Sequence, residues 1–362
     1  MRLLEENTKK EDKILEILKM VAPGTELRLG LENILKTKTG ALIVIGDSKE
    51  VLDIVDGGFF VNQDYSPSNL YELAKMDGAI VLSSDLKKIL YANAQLIPSR
   101  TIITKETGTR HRTAERTAKE TGEVVISISQ RRNIITVFKE NIRYMIEETA
   151  KVLGKANQAL QILERYKKVF DNKLNILNEY EFNDIVTLDI VIACIQRAEM
   201  VMMVRKEVQK FITELGEDGR LVKMQLDELM GGLDEEELYI VKDYIAKGKR
   251  KEPNKVLNEI RSIDINSISV QKIAEMLGYE NFENYEEIAV YPRGYRVLNK
   301  VPKVPSNVID NLVKSFKSFQ HILLADIESL DNTPGVGEIR SRNIKQSLKR
   351  MQEQFVFDNL VL

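Results

Sequence analysis

The run "ALIVIG" (41–46) is rich in valine and isoleucine and ends at glycine, a pattern typical of a β-strand. Other runs rich in valine and isoleucine share this character at 50–55, 79–83, 88–97, 123–129 and 133–138. Helical patterns lie between them, notably at 66–76, where Ser66 can cap the helix and Pro67 suits its first turn. The sequence therefore predicts an α/β domain with a mixed sheet over residues 1–145.

The middle of the chain has a helical rather than a strand period. Apolar residues between Asn141 and Asn178 recur at steps of three, four and seven, which predicts one long helix. Further helical patterns follow at 184–213, 219–230, 234–248 and 268–277. We expect an all-α spacer domain over residues 146–288. Its apolar seam is interpreted as core within one chain, with an oligomer contact as the alternative.

Composition limits the classes of function. The chain has 362 residues, a net charge of −2 and one cysteine, Cys194, inside an apolar run. Any site for a polyanion must therefore be local, and the chain forms no internal disulfide. A buried structural thiol is expected, and a zinc site of the usual Cys/His type is not. No run approaches the ~20 apolar residues of a membrane span. We expect a cytoplasmic protein that does not enter a membrane.

The C-terminal part, residues 289–362, is expected to form a separate domain. Its residues from 291 onward carry eleven lysines and arginines against seven aspartates and glutamates. The turn Pro334-Gly335-Val336-Gly337 between two helical patterns resembles the helix-hairpin-helix motif, which binds DNA without reading its sequence. Backbone N–H groups of such a turn can approach a phosphate beside a helix N-terminus. The predicted DNA-binding residues here are Gly335, Val336, Gly337, Arg340, Arg342 and Lys345.

These motifs commonly occur in pairs, and Lys303-Val304-Pro305 occupies the corresponding turn of a first hairpin. Pro305 has no N–H to donate, so Lys303 is the expected contact, through its charge. The alternative is that the two hairpins only pack on each other.

The stretch "GTRHRTAERTAKETG" (108–122) combines a predicted helix, starting near Arg112 or Thr113, with a cationic cluster just before it. Glu115 with Lys119 and Arg116 with Glu120 have the i,i+4 spacing of exposed helical ion pairs. Free N–H groups at a helix start favour an anion. The cluster is thus a candidate phosphate site, or alternatively a solvated charge run.

A second candidate is Asp77-Gly78, between a predicted helix and a predicted strand. An aspartate there can hold Mg²⁺ or Mn²⁺, and the glycine allows close approach of a nucleotide. Taken alone, the dipeptide is also a common turn.

Together, "DGA" (77–79) and "GTRHRT" (108–113) resemble the signature of diadenylate cyclase domains. With the helix-hairpin-helix end, nearly the whole chain resembles the family of DNA integrity scanning proteins. Further stretches that carry the resemblance are "VAPGTELRLGLENILKTKTGALIVIGD" (21–47), "VDGGF" (55–59), "LYELAKMDGAI" (70–80) and "VYPRGYRVLNK" (290–300).

The resemblance implies a bacterial, nucleoid-associated enzyme that condenses two ATP molecules into cyclic di-AMP and releases two pyrophosphates. Each 3′-hydroxyl attacks the α-phosphorus of the other ATP, so two domains must meet face to face, and a twofold interface matches the symmetric product. It also implies Mg²⁺ or Mn²⁺, a homo-octamer, and a role in DNA damage and repair, with branched or damaged DNA changing cyclase output.

The resemblance also assigns roles to residues. Asp77 would hold the metal and orient or deprotonate the hydroxyl, Gly78 would lie along the nucleotide, and the backbone of Leu96 would address adenine. The expected phosphate contacts are Thr109, Arg110, His111, Arg112, Thr113, Ser129 and Arg132. Gln130 departs from the charged residue expected at its position, which weakens the assignment around 130–132.

Two rival functions remain open from sequence. One is a DNA-binding scaffold whose α/β domain is inactive, although the intact Asp77-Gly78 and Arg110-His111-Arg112 argue against it. The other is a module that senses a nucleotide without turnover. Another kind of phosphoryl-transfer enzyme is disfavoured, because the chain has no Walker-type glycine-rich loop.

Overall fold

The computed structural model describes residues 2–246, 252–263, 269–280 and 284–358. They form two compact units: residues up to 158 with 208–224, and residues 159–207 with 225 onward. The division into domains at 145 and 288 stays a prediction. The predicted helix ends at 247–248 and 268 lie outside the described residues.

A single sheet organises the first unit. Its strands are β1 (Ala41–Ile45), β2 (Val55–Asp56), β3 (Phe59–Asp64), β4 (Ala79–Leu82), β5 (Lys88–Leu96), β6 (Val124–Ser129), β7 (Ile134–Lys139) and β8 (Ile142–Ile146). Their order in the sheet is β2-β5-β4-β1-β6-β7-β8, and β3 also pairs with β5. β1 and β4 are parallel, and the other paired strands are antiparallel, so the predicted mixed sheet is confirmed.

Helices cover both faces of the sheet. One face packs under α1 (Arg2–Val21), α2 (Glu26–Lys36) and α4 (Pro67–Leu73). The other packs under α3 (Lys49–Leu52) and α5 (Thr109–Thr121), where the small side chains of Ala114 and Ala118 join the core. The predicted cap of α4 is confirmed, because the Ser66 side chain accepts from the Asn69 N–H.

The strand predicted at 50–55 is wrong for most of its length. Residues 49–52 form α3, which buries Val51 against the α5 side of the sheet, and only β2 follows as strand. The long helix predicted from Asn141 is also wrong at its start. Ile142 and Ile146 belong to β8, because a spacing of four residues fits one strand face as well as a helical turn.

After the sheet, the described residues are almost wholly helical, as predicted. Leu160, Leu163, Phe170 and Leu177 of the predicted seam are buried within the single chain, and so is Cys194, where burial raises the pKa of the thiol to about 12. Among the described residues, no helix has the length and apolar character to cross a membrane. The helices are α6 (Thr149–Asn183), α7 (Leu188–Leu215), α8 (Arg220–Leu229), α9 (Leu233–Tyr244), α10 (Pro253–Arg261), α11 (Val270–Leu277), α12 (Tyr295–Asn299), α13 (Ser306–Phe316), α14 (Phe319–Leu324), α15 (Ile327–Asp331) and α16 (Gly337–Asp358).

A buried charged cluster ties α12 to other helices of the second unit. Arg296 is fully buried; one terminal nitrogen contacts Glu181, and the other donates to Asn178 at 2.6 Å and to Glu236 at 2.9 Å. The buried carboxylate of Asp243 accepts from three successive backbone N–H groups, of residues 294–296, at 2.8–3.0 Å. The stretch 293–296 is therefore held by charge and hydrogen bonds as well as by apolar packing.

Candidate functional site

Strand register brings the predicted site residues to one edge of the sheet. Ala41 at the start of β1 pairs with Ile128 near the end of β6, and Ala79 at the start of β4 pairs with Ala94 near the end of β5. The first turn of α5 reaches the same edge, because its His111 contacts Ser127 of β6. The four segments 77–78, 94–96, 109–113 and 127–132 therefore meet there.

The helix α5 begins earlier than predicted, at Thr109 rather than near Arg112 or Thr113. Gly108 has extended backbone (φ −79°, ψ 140°) and is the N-cap, so Arg110, His111 and Arg112 lie in the first turn rather than before it. No side chain caps this end, and the first turn contains no acidic residue. The free N–H groups and the helix dipole leave this end ready for an anion.

Arginine side chains gather at this helix start without counter-ions. Within the described ranges, Arg110, Arg112 and Arg132 have no carboxylate partner, whereas Arg143 nearby pairs with Glu106 at 2.5 Å. Uncompensated guanidinium groups around free backbone donors attract a polyanion such as a triphosphate.

The guanidinium of Arg110 lies directly over Gly40, immediately before β1. A Cβ atom added at Gly40 would lie 2.2 Å from Arg110 Nη1. Gly40 was not among the predicted residues. It acts through Arg110, by leaving room for that side chain across the start of the strand.

His111 is half-buried between the helix and the sheet. Its Nδ1 lies 3.2 Å from Ser127 Oγ, and its ring meets Phe138 edge-on at 6.4 Å. Burial lowers the pKa of His111; Glu106 opposes this, and the neighbouring arginines add to it. The ring is therefore neutral at pH 7. Ser127, fully buried, was missed from sequence, although it shares a strand face with the predicted Ser129.

Asp77 and Gly78 form the turn into β4. The Asp77 side chain is exposed and makes no hydrogen bond or ion pair with any other residue that the structure describes. Gly78 has φ +103°, and a Cβ there would lie 2.8 Å from the carbonyl carbon of Asn93. The close approach of β5 therefore requires glycine at this position. The Asp77 carboxylate beside this glycine is exposed at the edge of the sheet.

The remaining predicted residues occupy the rim of the same edge. The Leu96 side chain is buried and its backbone pairs with Val55. Ser129 Oγ accepts from the Arg132 N–H at 3.3 Å, which shapes the β6–β7 turn. Thr109 is exposed and Thr113 half-buried, both in the first two turns of α5.

Charged side chains of α5 hold the segment 97–108, which joins β5 to this helix. Lys119 pairs with Glu115 at 2.7 Å as predicted, although Glu115 is buried rather than exposed. The predicted pair of Arg116 and Glu120 is wrong. Arg116 donates to the Ile102 carbonyl at 3.0 Å and Glu120 accepts from the Ser99 N–H at 2.7 Å, because the returning segment offers backbone partners.

Comparison with known proteins decides the family. A family model described as "DisA bacterial checkpoint controller nucleotide-binding" matches residues 28–142, and one described as "DisA bacterial checkpoint controller linker region" matches 146–286. The DNA integrity scanning protein DisA of Acetivibrio thermocellus is 53% identical over 97% of this chain and 98% of its own length. Those of Clostridium kluyveri and Clostridium tetani are 52% and 49% identical over 97% and 99% of the chain, and 98% and 99% of theirs. This chain belongs to the DisA family.

As a DisA family member, the chain is a diadenylate cyclase, an enzyme of the nucleotidyltransferase class, joined to a DisA linker. Every residue of the edge described above lies inside the matched nucleotide-binding region.

The second matched region ends at residue 286, and a pair of similar helical hairpins follows it. The first hairpin is α12, the turn 300–305 and α13; the second is α15, the turn 332–336 and α16. Lys303 (φ +63°) has the same left-handed backbone as Gly335 (φ +86°), thirty-two positions later. The first turn therefore keeps the shape of the second despite its different residues.

Each of the two hairpins holds the turn of the other. Asn311 of α13 donates to the Pro334 carbonyl at 2.8 Å, and Asn343 of α16 donates to the Pro302 carbonyl at 2.8 Å. These asparagines are also thirty-two positions apart, and Val336 of the second turn is buried in their common core.

The predicted cations of the second hairpin have partners inside the chain. Arg340 donates to the Gly335 carbonyl at 2.7 Å and Arg342 pairs with Glu338 at 2.5 Å. Lys345 donates to the Leu323 and Ala325 carbonyls at 2.8 and 2.6 Å. Arg340 and Arg342 are exposed, so a phosphate can reach both.

Proposed function

We propose that ATP binds at this edge with its phosphates on the first turn of α5. The observation that carries the proposal is the uncapped start of this helix, surrounded by Arg110, Arg112 and Arg132 without counter-ions. Thr109, Thr113 and Ser129 supply further donors around the phosphates. Gly78 lies along the nucleotide, and the backbone of Leu96, at the end of β5, contacts the adenine.

His111 contributes as a neutral donor. If the Ser127 hydroxyl donates to Nδ1, the ring carries its proton on Nε2, which then faces the ligand as an N–H. Arginines hold the phosphate charge, and His111 adds a directed hydrogen bond without adding net charge. Catalysis then rests on positioning and on neutralising charge at the α-phosphate.

Asp77 fits a divalent cation that arrives with the nucleotide. The described residues contain no group of three or more acidic, histidine or cysteine side chains able to hold a metal ion by themselves. Mg²⁺ is usually held by one or two carboxylates together with substrate phosphates, and Asp77 offers one such carboxylate without a competing partner. When bound, Mg²⁺ or Mn²⁺ would neutralise phosphate charge. Asp77 itself would also orient the attacking hydroxyl.

Cyclisation requires two such edges, because one edge offers one set of phosphate-binding groups and the product contains two equivalent linkages. We propose that two first units meet through a twofold interface with their nucleotides antiparallel. The homo-octamer implied by the family resemblance would contain such pairs.

Product analysis tests the enzyme assignment. The purified chain is incubated with ATP and Mg²⁺ or Mn²⁺, and cyclic di-AMP is measured by mass spectrometry. Asp77→Asn should form none, whereas Asp64→Asn, an exposed carboxylate at the opposite edge of the sheet, should match the unmodified chain. Equal product from Asp77→Asn and the unmodified chain would remove Asp77 from the site.

We further propose that the paired hairpins are helix-hairpin-helix motifs that bind DNA and that this binding changes cyclase output. The segment 291–362 is cationic, and both turns have the left-handed backbone that exposes N–H groups to a phosphate. Lys303, Gly335, Val336, Gly337, Arg340, Arg342 and Lys345 are the proposed contacts. Such binding would place the protein at the nucleoid and connect its output to DNA damage and repair.

Titration with branched DNA tests this second part. Binding and cyclic di-AMP formation are followed in the same samples at one salt concentration. Tight binding that leaves turnover unchanged would contradict the coupling, and absence of binding would contradict the motif assignment.

A further inference from the structure

Ile339 stands out in the second hairpin because nothing in the fold covers it. It is 86% exposed, the highest value of any large apolar side chain in the described part of the chain. Its neighbours Val336, Ile344 and Leu348 are buried in the core of the hairpins. Ile339 therefore adds nothing to that core, and its side chain lies in the first turn of α16, two residues after Gly337.

The hairpin geometry does not demand an apolar residue at this position. A thirty-two-residue repeat relates Lys303 to Gly335 and Asn311 to Asn343. In this repeat Asn307 is the residue equivalent to Ile339. Asn307 is exposed in the first turn of α13, as Ile339 is in α16. The same backbone thus accepts a polar side chain in one hairpin and presents an apolar one in the other.

The surroundings of Ile339 favour a nucleic acid as its partner. The exposed guanidinium groups of Arg340 and Arg342 follow it one and three positions later, and a Cβ at Gly337 would meet no atom within 4 Å. A phosphate backbone can therefore approach the turn closely. Glu338 is paired with Arg342, so a ligand phosphate has to compete for that arginine.

We propose that Ile339 contacts the face of an unstacked base and so makes this hairpin prefer DNA with an interrupted stack. The inference rests on the DNA binding proposed above. A continuous duplex presents phosphates and sugars to the turn, and these leave an isoleucine without an apolar partner. A branch or gap exposes the face of a base, against which apolar side chains pack when they enter a base step.

The test compares two DNAs and three variants of the full chain. A four-way junction and a linear duplex of the same length and composition are titrated at one salt concentration. Ile339→Asn copies the residue of the first hairpin, and Ile339→Phe keeps an apolar group. Leu324→Asn makes the same change of polarity at another exposed position (77%) of the hairpin region, so it serves as the control.

Ile339→Asn should weaken junction binding about tenfold and leave duplex binding within twofold, since one apolar side chain loses its contact. Ile339→Phe and Leu324→Asn should keep the selectivity of the unmodified chain. A 2-aminopurine at the branch should brighten with the unmodified chain but not with Ile339→Asn. Unchanged selectivity in Ile339→Asn, or equal weakening on both DNAs, overturns the role of Ile339 alone. Failure of the unmodified chain to bind either DNA overturns the DNA-binding proposal with it.

Discussion

Glu181→Gln, a small change in the buried cluster around Arg296, should cause a large loss of stability. Glu181→Gln removes the fully buried carboxylate that faces Arg296 and leaves the guanidinium with Asn178 and the partly exposed Glu236. The Tyr244 hydroxyl, 2.6 Å from Glu181 Oε1, can still donate to the amide oxygen. The amide nitrogen then faces Arg296, so the change removes both the charge and the hydrogen-bond acceptor opposite the guanidinium while keeping the shape of the side chain.

Breaking a buried ion pair from one side costs about 3–5 kcal/mol, because the remaining charge stays desolvated. For a unit of this size, each kcal/mol corresponds to roughly 2–4 °C, so the melting temperature of the second unit should fall by roughly 10 °C. Differential scanning calorimetry of the full chain measures this. Glu353→Gln, which breaks an exposed pair with Lys349, should shift it by about 1 °C or less.

A double variant separates charge from shape. Arg296→Met combined with Glu181→Gln should be more stable than Glu181→Gln alone, because it removes the stranded guanidinium. A shift below 2 °C in Glu181→Gln, or a double variant that is less stable than both single ones, would refute the reasoning.

Three further outcomes are expected. Gly78→Ala places a Cβ beside the Asn93 backbone at φ +103° and should lower stability by about 1–3 kcal/mol in a urea titration. Burial lowers the pKa of His111, so the buried neutral ring stabilises the fold above about pH 6.5, and this contribution is lost on acidification. His111→Asn should therefore make the urea midpoints at pH 5 and pH 7 more alike. Burial and Glu237 raise the pKa of Glu199 from 4.5 to about 9, so stability should fall as the pH rises from about 4.5 to about 9 and level off above it. Glu199→Gln should abolish that fall, measured between pH 6 and 8.

The sequence predicted the sheet well where strands are buried on both faces, because such strands are continuous apolar runs. It missed β3, whose side chains are mostly exposed, and it misassigned β8, whose two isoleucines fit either period. The short helix α3 was predicted as strand because residues 50–55 are rich in valine and isoleucine. Local patterns therefore failed where exposure or brevity removed the periodic signal.

The candidate site was predictable where local motifs carry the chemistry, as at Asp77-Gly78 and Arg110-His111-Arg112. Gly40 and Ser127 were missed because their roles depend on contacts across seventy and sixteen positions of the chain. The same limit applies to Arg116 and Glu120, whose helical spacing predicted a pair that the returning segment 97–108 replaces.

The reciprocal asparagines of the two hairpins have a consequence for the entropy of binding. Because Asn311 and Asn343 each hold the turn of the opposite hairpin, the distance between the two turns is set when the chain folds. A ligand that spans both turns does not have to order them, because the protein lost that conformational entropy when it folded. Replacing either asparagine would therefore slow the first encounter little and shorten the lifetime of a complex that uses both turns.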